Sequence, residues 1–251
     1  MGQDFEHHDQ AVVDATPEQV WSAIATGPGI DSWFMGRTEV RPGEGGVVRT
    51  DFGAPLPPST ITAWQPLERF AHDSGPGPDG RFIASEFLLE GRAGGSTVLR
   101  MVTSGFLPGD DWEGEYQAMT QGLGLFFRTL VEYLHHFAGR TATPVTAFGP
   151  PVADFEQAWA LLDRALGVTR PLAAGDPVRF EPDGLPPVDA VVYYANDQTL
   201  GLRSADTLYR FMQGFGGSII ASHHSFAGAG RPATDQAWSA WLTRLYGGHQ
   251  A

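Results

Sequence analysis

Four charged side chains alternate with apolar residues on predicted strands and could therefore line the inside of a sheet. Glu86 lies in RFIASEFLLE, Arg100 in STVLRMVTS, and Arg49 and Asp51 in VVRTDF. Such groups polarise carbonyls or move protons when a dry cavity shifts their pKa values and strengthens their hydrogen bonds. The alternative is that they lie on the solvent face of an antiparallel sheet, with the opposite residues inside. Alternation alone leaves both arrangements open.

Composition removes several other kinds of chemistry. All 16 basic residues are arginines, and the chain has neither lysine nor cysteine. Schiff-base lysines, thiol nucleophiles, disulfides and thiolate zinc sites are therefore excluded. The histidine pairs at 7–8, 135–136 and 223–224 are adjacent in sequence, so their side chains diverge and no pair chelates a metal alone. We predict no metal, no cofactor and no catalytic residue of these classes.

The net charge is −13 and the isoelectric point about 4.9. A surface of this charge repels phosphate backbones and anionic lipids, so we expect neither nucleic acid nor membrane as a partner. No apolar run approaches the ~20 residues of a membrane span, and the first residues, MGQDFEHHDQ, are polar and acidic. These features predict a cytoplasmic protein.

The elements that must position these side chains follow from local patterns. A strand is predicted in residues 5–14, followed by a helix with Thr16 as its N-cap and Pro17 in its first position. Strands separated by short Gly- and Pro-rich loops run from Gly36 to Gly105, and loops of that length favour an antiparallel meander of about six strands. A long amphipathic helix is then predicted over Asp111–His136.

This order resembles the START-like helix-grip superfamily, also called SRPBCC. Within it, the chain resembles the subfamily related to the activator of the heat-shock-protein-90 ATPase over roughly residues 5–138. The residues that carry the resemblance are Thr16 to Trp21, Trp33, Pro42 with Gly45-Gly46, Pro66 to Phe70, Gly94 to Thr97 with Leu99, and Ser104-Gly105-Phe106. Proline-rich sequence ending at Ser59-Thr60-Ile61 replaces the usual start of a strand, and the chain continues for about a hundred further residues.

The resemblance implies an α+β helix-grip domain over residues 1–140, with a curved antiparallel sheet around the long C-terminal helix. If the sheet and helix do not fill the space between them, an apolar pocket remains; the alternative is that aromatic rings fill it. We expect Trp21 in the core and Trp33 at the mouth of the pocket. The predicted ligand-binding residues are Trp33, Phe34, Phe52, Trp64, Phe82, Glu86, Arg100, Trp112, Tyr116, Met119 and Leu123.

Residues 145–251 are predicted to form a smaller α+β domain of similar design, after a linker at 144–151. Its Glu156-Gln157-Ala158-Trp159 repeats the pattern of Glu18-Gln19-Val20-Trp21. Short strands and a closing helix with Trp238 on its apolar face follow, which predicts a shortened, degenerate duplication. An unrelated appendage is the alternative. This domain either covers the mouth of the first or provides a homodimer surface.

Three functions are compatible with these patterns. The preferred one is binding of a small hydrophobic molecule, a lipid or polycyclic metabolite, in a cavity between the sheet and the long helix. The second is a cyclase- or dehydratase-like enzyme acting on a polyketide-type substrate, with polar residues among Arg49, Asp51, Glu86 and Arg100 in the pocket. The third, activation of a chaperone ATPase, is implied by the resemblance alone.

Overall fold

The chain divides into two compact units, Met1–Thr141 and Ala142–Ala251, in the computed structural model. The structure describes residues 2–53, 57–110, 112–214, 217–228 and 235–247. Within these ranges, no helix combines the length and the apolar character needed to cross a bilayer.

The N-terminal unit has seven strands and three helices. In chain order they are β1 (Gln3–Val13), α1 (Pro17–Ala25), α2 (Gly27–Ile30), β2 (Arg37–Arg41), β3 (Val47–Asp51), β4 (Ser59–Gln65), β5 (Arg69–Asp73), β6 (Phe82–Gly91), β7 (Thr97–Leu107) and α3 (Trp112–His136). All neighbouring strands are antiparallel, in the order β1-β7-β6-β5-β4-β3-β2. The predicted first residue of the long helix, Asp111, lies outside the described residues.

Helix α1 begins where its cap predicts. The Thr16 hydroxyl accepts the Gln19 N–H, and the Gln19 side chain accepts the Thr16 N–H at 2.9 Å, which forms a complete capping box. Val20, Ala23 and Ile24 are fully buried at the i, i+3, i+4 spacing of one helical face. The cap therefore sets the start of the helix, and the apolar stripe sets the side that packs on the sheet.

One irregularity in β4 determines which side chains face inwards. The pairing of β4 with β5 shifts between Ile61 and Ala63, so that Ile61 lies opposite His72 and Trp64 lies opposite Phe70. An extra residue in one strand reverses its alternation. Ile61 and Trp64 therefore point to the same face although they are three residues apart.

Helix α3 packs on the face of the sheet that carries Phe5. The Phe5 and Tyr116 rings lie 5.7 Å apart, and the Phe34 ring, after α2, lies 4.8 Å from that of Phe126. Leu125 is completely buried. A sheet wrapped around one long helix is the architecture that the sequence predicts for this part of the chain.

The C-terminal unit repeats this plan with fewer elements. Its elements are β8 (Thr143–Pro151), α4 (Phe155–Leu166), β9 (Pro177–Phe180), β10 (Val188–Ala195), β11 (Thr199–Arg203), β12 (Thr207–Gln213), β13 (Ser218–Ser225) and α5 (Asp235–Tyr246). The sheet order is β8-β13-β12-β11-β10-β9. In both units the first strand pairs with the last, a helix follows the first strand, and a helix follows the last strand. The predicted fold class, an α+β helix-grip domain with a smaller unit of similar design, is confirmed.

The predicted linker at 144–151 is wrong, because these residues belong to β8, which pairs with β13. Its prolines are tolerated because β8 lies at the edge of the sheet, where a missing N–H breaks no interior ladder. Helix α4 starts as α1 does, with the Asp154 carboxylate accepting the Gln157 N–H. Trp159, Leu162 and Phe211 belong to the apolar core of this unit.

Candidate functional site

The pairing of β5, β6 and β7 shows which face of the first sheet is interior. Phe70 lies opposite Phe87, and Phe87 opposite Met101; all three side chains are buried. We call the face that carries them the inner face. Because side chains alternate along a strand, the residues next to these point to the opposite, outer face.

Glu86 and Arg100 were expected inside, and this prediction is wrong. Glu86 accepts a hydrogen bond from Arg69 Nε at 2.5 Å, and the exposed Arg100 donates from Nε to Gln10 at 2.8 Å. Phe82 shares their parity on β6 and also lies on the outer face. The outer face carries apolar residues as well, such as Ala84 and Leu88, so it resembles an interior face in sequence.

The enzyme hypothesis also placed Arg49 and Asp51 in the pocket, and this prediction is wrong as well. Both are exposed on β3, whereas Val48 and Thr50, between and beside them, are buried. Arg49 lies 4.0 Å from a carboxylate oxygen of Glu39 on the neighbouring strand. Arg49 therefore forms a solvated ion pair with Glu39, and Asp51, which accepts the Gly53 N–H, is also exposed rather than part of a pocket lining.

The predicted positions of Trp21 and Trp33 are wrong: Trp21 was expected in the core and Trp33 at the mouth of the pocket. Trp33 is only 4% exposed, and its indole N–H donates to the Ala23 carbonyl at 3.0 Å. Trp21 is half-buried at the edge of the α1 stripe, with its ring 5.1 Å from that of Trp64. Trp33 is thus a core residue and no gate.

Aromatic rings form a continuous row from β4 to α3, which we call the aromatic chain. Successive centroids are 4.8–6.2 Å apart, within the range of favourable ring contacts. Its members in order are Trp64, Phe70, Phe87, Trp33, Phe34 and Phe126. These rings fill one end of the space between the sheet and α3.

Beside the aromatic chain, polar side chains cross the inner face on four neighbouring strands. His7 of β1 lies opposite Thr103 of β7, Thr103 opposite Ser85 of β6, and Ser85 opposite His72 of β5. We call these four residues the polar row. Neighbouring strands are ~4.8 Å apart, so the row places hydrogen-bonding groups at regular intervals along the sheet. Asp9 follows His7 on the same face of β1.

Three polar atoms on this face are buried and lack a hydrogen-bond partner among the described residues: Asp9 Oδ2, His72 Nδ1 and Thr103 Oγ1. His7 Nε2 lies 3.2 Å from Asp9 Oδ2, but the contact does not have hydrogen-bond geometry. The side chains of His7 and Asp9 remain 26% and 21% exposed. His7 and Asp9 are therefore partly desolvated but still accessible, whereas Thr103 is 2% exposed.

Burial also changes the protonation of this face. It raises the pKa of the Asp9 carboxyl above its usual range, although the neighbouring His7 and Arg128 oppose the shift. It lowers the pKa of His72 to about 4, against the attraction of Asp73. His72 is therefore a neutral imidazole near pH 7, with one ring nitrogen that donates and one that accepts.

The first half of α3 covers this region. Its predicted site residues Trp112, Tyr116, Met119 and Leu123 are all half-buried, in contrast to the buried second half of the helix. An ion pair between Arg81 and Glu115, with Nη2 3.2 Å from Oε2, connects the helix to the chain just before β6. Phe52, also half-buried, follows β3.

Of the eleven predicted site residues, the structure brings three into the aromatic chain: Trp33, Phe34 and Trp64. A fourth, Tyr116, contacts Phe5 instead. The polar row was not predicted from the sequence. The sequence does contain a pattern that indicates the inner face of β1. Val13, at the end of this strand, is next to α1 and must be buried. Counting back in twos from Val13 gives Asp9, His7 and Phe5 on the inner face.

Among the described side chains, no three His, Asp or Glu residues are grouped closely enough to hold a metal ion. The arrangement can instead hold an apolar ring system against the aromatic chain while offering hydrogen bonds from the polar row. Asp9 and His7 together could also accept and return a proton.

Comparison with known proteins shows what the chain is similar to. No curated protein matches the chain by sequence. Three solved structures illustrate the structural similarity. Protein MLL2253 of Mesorhizobium loti is 24% identical with a TM-score of 0.44, over 52% of this chain and 96% of its own. The Aha1 dimer of Colwellia psychrerythraea is 20% identical with a TM-score of 0.41, over 52% and 96%. The di-domain ARO/CYC protein BexL of the BE-7585A biosynthetic pathway is 13% identical with a TM-score of 0.45, over 98% and 99%.

The family described as Activator of Hsp90 ATPase homolog 1-like protein matches residues 14–135. This range runs from the end of β1 to the last turn of α3 and contains α1, α2 and six of the seven strands. The N-terminal unit of the chain is therefore similar to the family of Activator of Hsp90 ATPase homolog 1-like proteins.

Proposed function

We propose that the N-terminal unit binds a small, mainly apolar molecule between the inner face of its sheet and the first half of α3. The supporting observation is the set of three buried atoms without hydrogen-bond partners among the described residues, on Asp9, His72 and Thr103; of these, Asp9 Oδ2 has an ion-pair contact with His7. Buried polar atoms in native proteins are nearly always paired, and an unpaired one costs about 1–3 kcal/mol. A ligand that supplies the missing partners would recover this free energy.

The residues also define the chemistry of the ligand. The carboxylate oxygen of Asp9 needs a donor, and the Thr103 hydroxyl can donate or accept. The aromatic chain next to them favours flat rings. A ring compound with hydroxyl groups meets these demands better than an unbranched lipid, whose polar atoms lie at one end. Of the two ligand classes expected from the sequence, we favour the polycyclic metabolite.

The test compares hydroxylated naphthalenes and anthraquinones with their unsubstituted parents, using isothermal titration calorimetry. Thr103→Val keeps the shape of the side chain and removes its hydroxyl. It should weaken binding of the hydroxylated compounds by roughly five- to tenfold, the value of one hydrogen bond. Thr62→Val, the same change at an exposed position of β4, is the matched control and should leave affinity unchanged.

The proposal fails if no member of the panel binds saturably. It also fails if Thr103→Val and Thr62→Val give the same affinities, because the polar row would then have no part in binding. Thr103→Val removes a hydroxyl that has no described partner, so the protein should keep its stability and the comparison stays interpretable.

A second function, acid–base catalysis of the cyclase or dehydratase type, is favoured by one observation. Asp9 combines a raised pKa with a histidine 3.2 Å away, and a carboxyl with a raised pKa is suited to general acid–base catalysis. If the unit is an enzyme, Asp9→Asn should abolish turnover of a bound polyketide-type compound while leaving its affinity within a few-fold. Undiminished turnover in this variant would remove Asp9 from the mechanism.

A further inference from the structure

A cavity of about 320 Å³ lies away from the polar row, between the α1–α2 junction and strands β2 and β4. Trp21 and Trp64 line one side of it, and Pro28, Val40 and Pro42 line the other. Its volume falls in the range of ~300–1,000 Å³ that is usual for small-molecule pockets.

The local chain geometry keeps this cavity open. α1 ends at Ala25 and α2 begins at Gly27, which packs so closely on β2 that a Cβ there would be 2.2 Å from the Thr38 carbonyl oxygen. The Trp21 ring is held edge-on against Trp64 at 5.1 Å and cannot swing into the space without losing that contact. The void is therefore bounded by two fixed elements.

Aromatic rings separate this cavity from the polar row. Trp21, Trp64 and Phe70 contact one another edge-to-face, with centroids 5.1–6.2 Å apart. Phe70 is completely buried, and its ring centroid lies 5.4 Å from that of His72 in the polar row. A molecule in the cavity would thus contact Trp21 and Trp64 without reaching the polar row.

The lining of the cavity restricts what it can hold. It contains no charged side chain. Its one hydroxyl, on Thr26, is already used, because it donates to the Ser22 carbonyl at 2.7 Å and accepts the Gly29 N–H at 3.1 Å. A charged ligand would lose its hydration without gaining a partner, which is unfavourable. Tryptophan edges and faces instead favour a flat ring.

We infer that this cavity is a second binding site, which takes a small, uncharged aromatic molecule independently of the site at the polar row. The probe is 5-fluoroindole, an uncharged two-ring compound whose binding is followed by ¹⁹F NMR titration of the full chain. Val40→Trp places a bulky ring in the cavity and should weaken binding by about tenfold or more. Val12→Trp, on the outer face where Val12 is 51% exposed, is the matched control and should not change it.

A second measurement needs no substitution in the cavity and keeps the test valid if Val40→Trp does not fold. In the unchanged protein, nuclear Overhauser effects should connect the ring protons of 5-fluoroindole to the Val40 methyl groups. Absence of saturable binding, or equal weakening by Val40→Trp and Val12→Trp, would overturn the inference. So would binding lost in Thr103→Val and kept in Val40→Trp, because the probe would then occupy the site at the polar row.

Discussion

His72 should make the N-terminal unit lose stability in mild acid. Burial lowers the pKa of its imidazole from 6.5 to about 4 in the folded protein, while the unfolded chain keeps a value near 6.5. As pH falls through 6.5, His72 binds a proton in the unfolded state but not in the folded state. Stability is therefore lost progressively from about pH 6.5 down to the folded pKa.

The size of the effect follows from this difference. One pKa unit corresponds to about 1.4 kcal/mol, and integration of the proton uptake between about pH 7 and about pH 5 gives a loss of roughly 2 kcal/mol from His72 alone. His223 in the other unit is also buried, and its pKa is lowered to about 3. Its contribution is the same in the wild-type protein and in a His72 variant, so it cancels when the two are compared.

The assay is urea unfolding of the wild-type protein, His72→Phe and His72→Gln at several pH values from about 7 to about 5. The two replacements differ in shape and polarity, so their stabilities at neutral pH will differ. Neither titrates, so both should lose the same roughly 2 kcal/mol of acid sensitivity. If both variants keep the pH dependence of the wild type, His72 is not a buried neutral imidazole and the reasoning is refuted.

Three further substitutions test other parts of the structure. Asp9→Asn removes a carboxylate whose charged form is disfavoured by burial, so the free energy of unfolding at neutral pH should rise. The stability difference from the wild type should shrink as pH falls, because Asp9 then becomes protonated. A variant less stable than the wild type in urea unfolding would contradict this. Gly122→Ala adds a methyl group to open space in α3 and should stabilise the helix by about 1 kcal/mol, seen as a higher Tm. Gly27→Ala brings a Cβ to 2.2 Å from the Thr38 carbonyl oxygen and should lower the free energy of unfolding by roughly 1–3 kcal/mol. A variant as stable as the wild type would show that the α1–α2 junction does not pack closely on β2.

Local signals predicted the elements of both units well. The cap at Thr16 and the apolar spacing after it depend on neighbours within four residues, and the structure contains both. The repeat of the α1 pattern at Glu156 to Trp159 likewise indicated α4, although its cap at Asp154 was not predicted. The segment 144–151 was the exception, because its prolines are compatible with a linker or with an edge strand, and pairing with β13 decides between them.

The faces of the strands could not be predicted in the same way. On β6, both alternating sets contain apolar residues, so Phe82 and Leu88 looked as suitable for a core as Phe87 and Leu89 do. Because the wrong face was chosen, Glu86 and Arg100 were predicted to line the pocket. His7, Asp9 and Thr103, which lie on the inner face, were not. The shift in β4 has the same character, because it is visible only in the pairing of β4 with β5.

Composition and short-range pattern alone determined the absence of lysine and cysteine chemistry, the order of strands and helices, and the cap of α1. Each of these depends on residue type or on contacts within one turn of helix. Tertiary structure decided that the polar row faces α3, that Trp33 is buried while Trp21 borders a cavity, and that 144–151 is a strand. The physical reason is that a strand can present two chemically similar faces. Only packing against a helix far away in the sequence decides which of the two faces is buried.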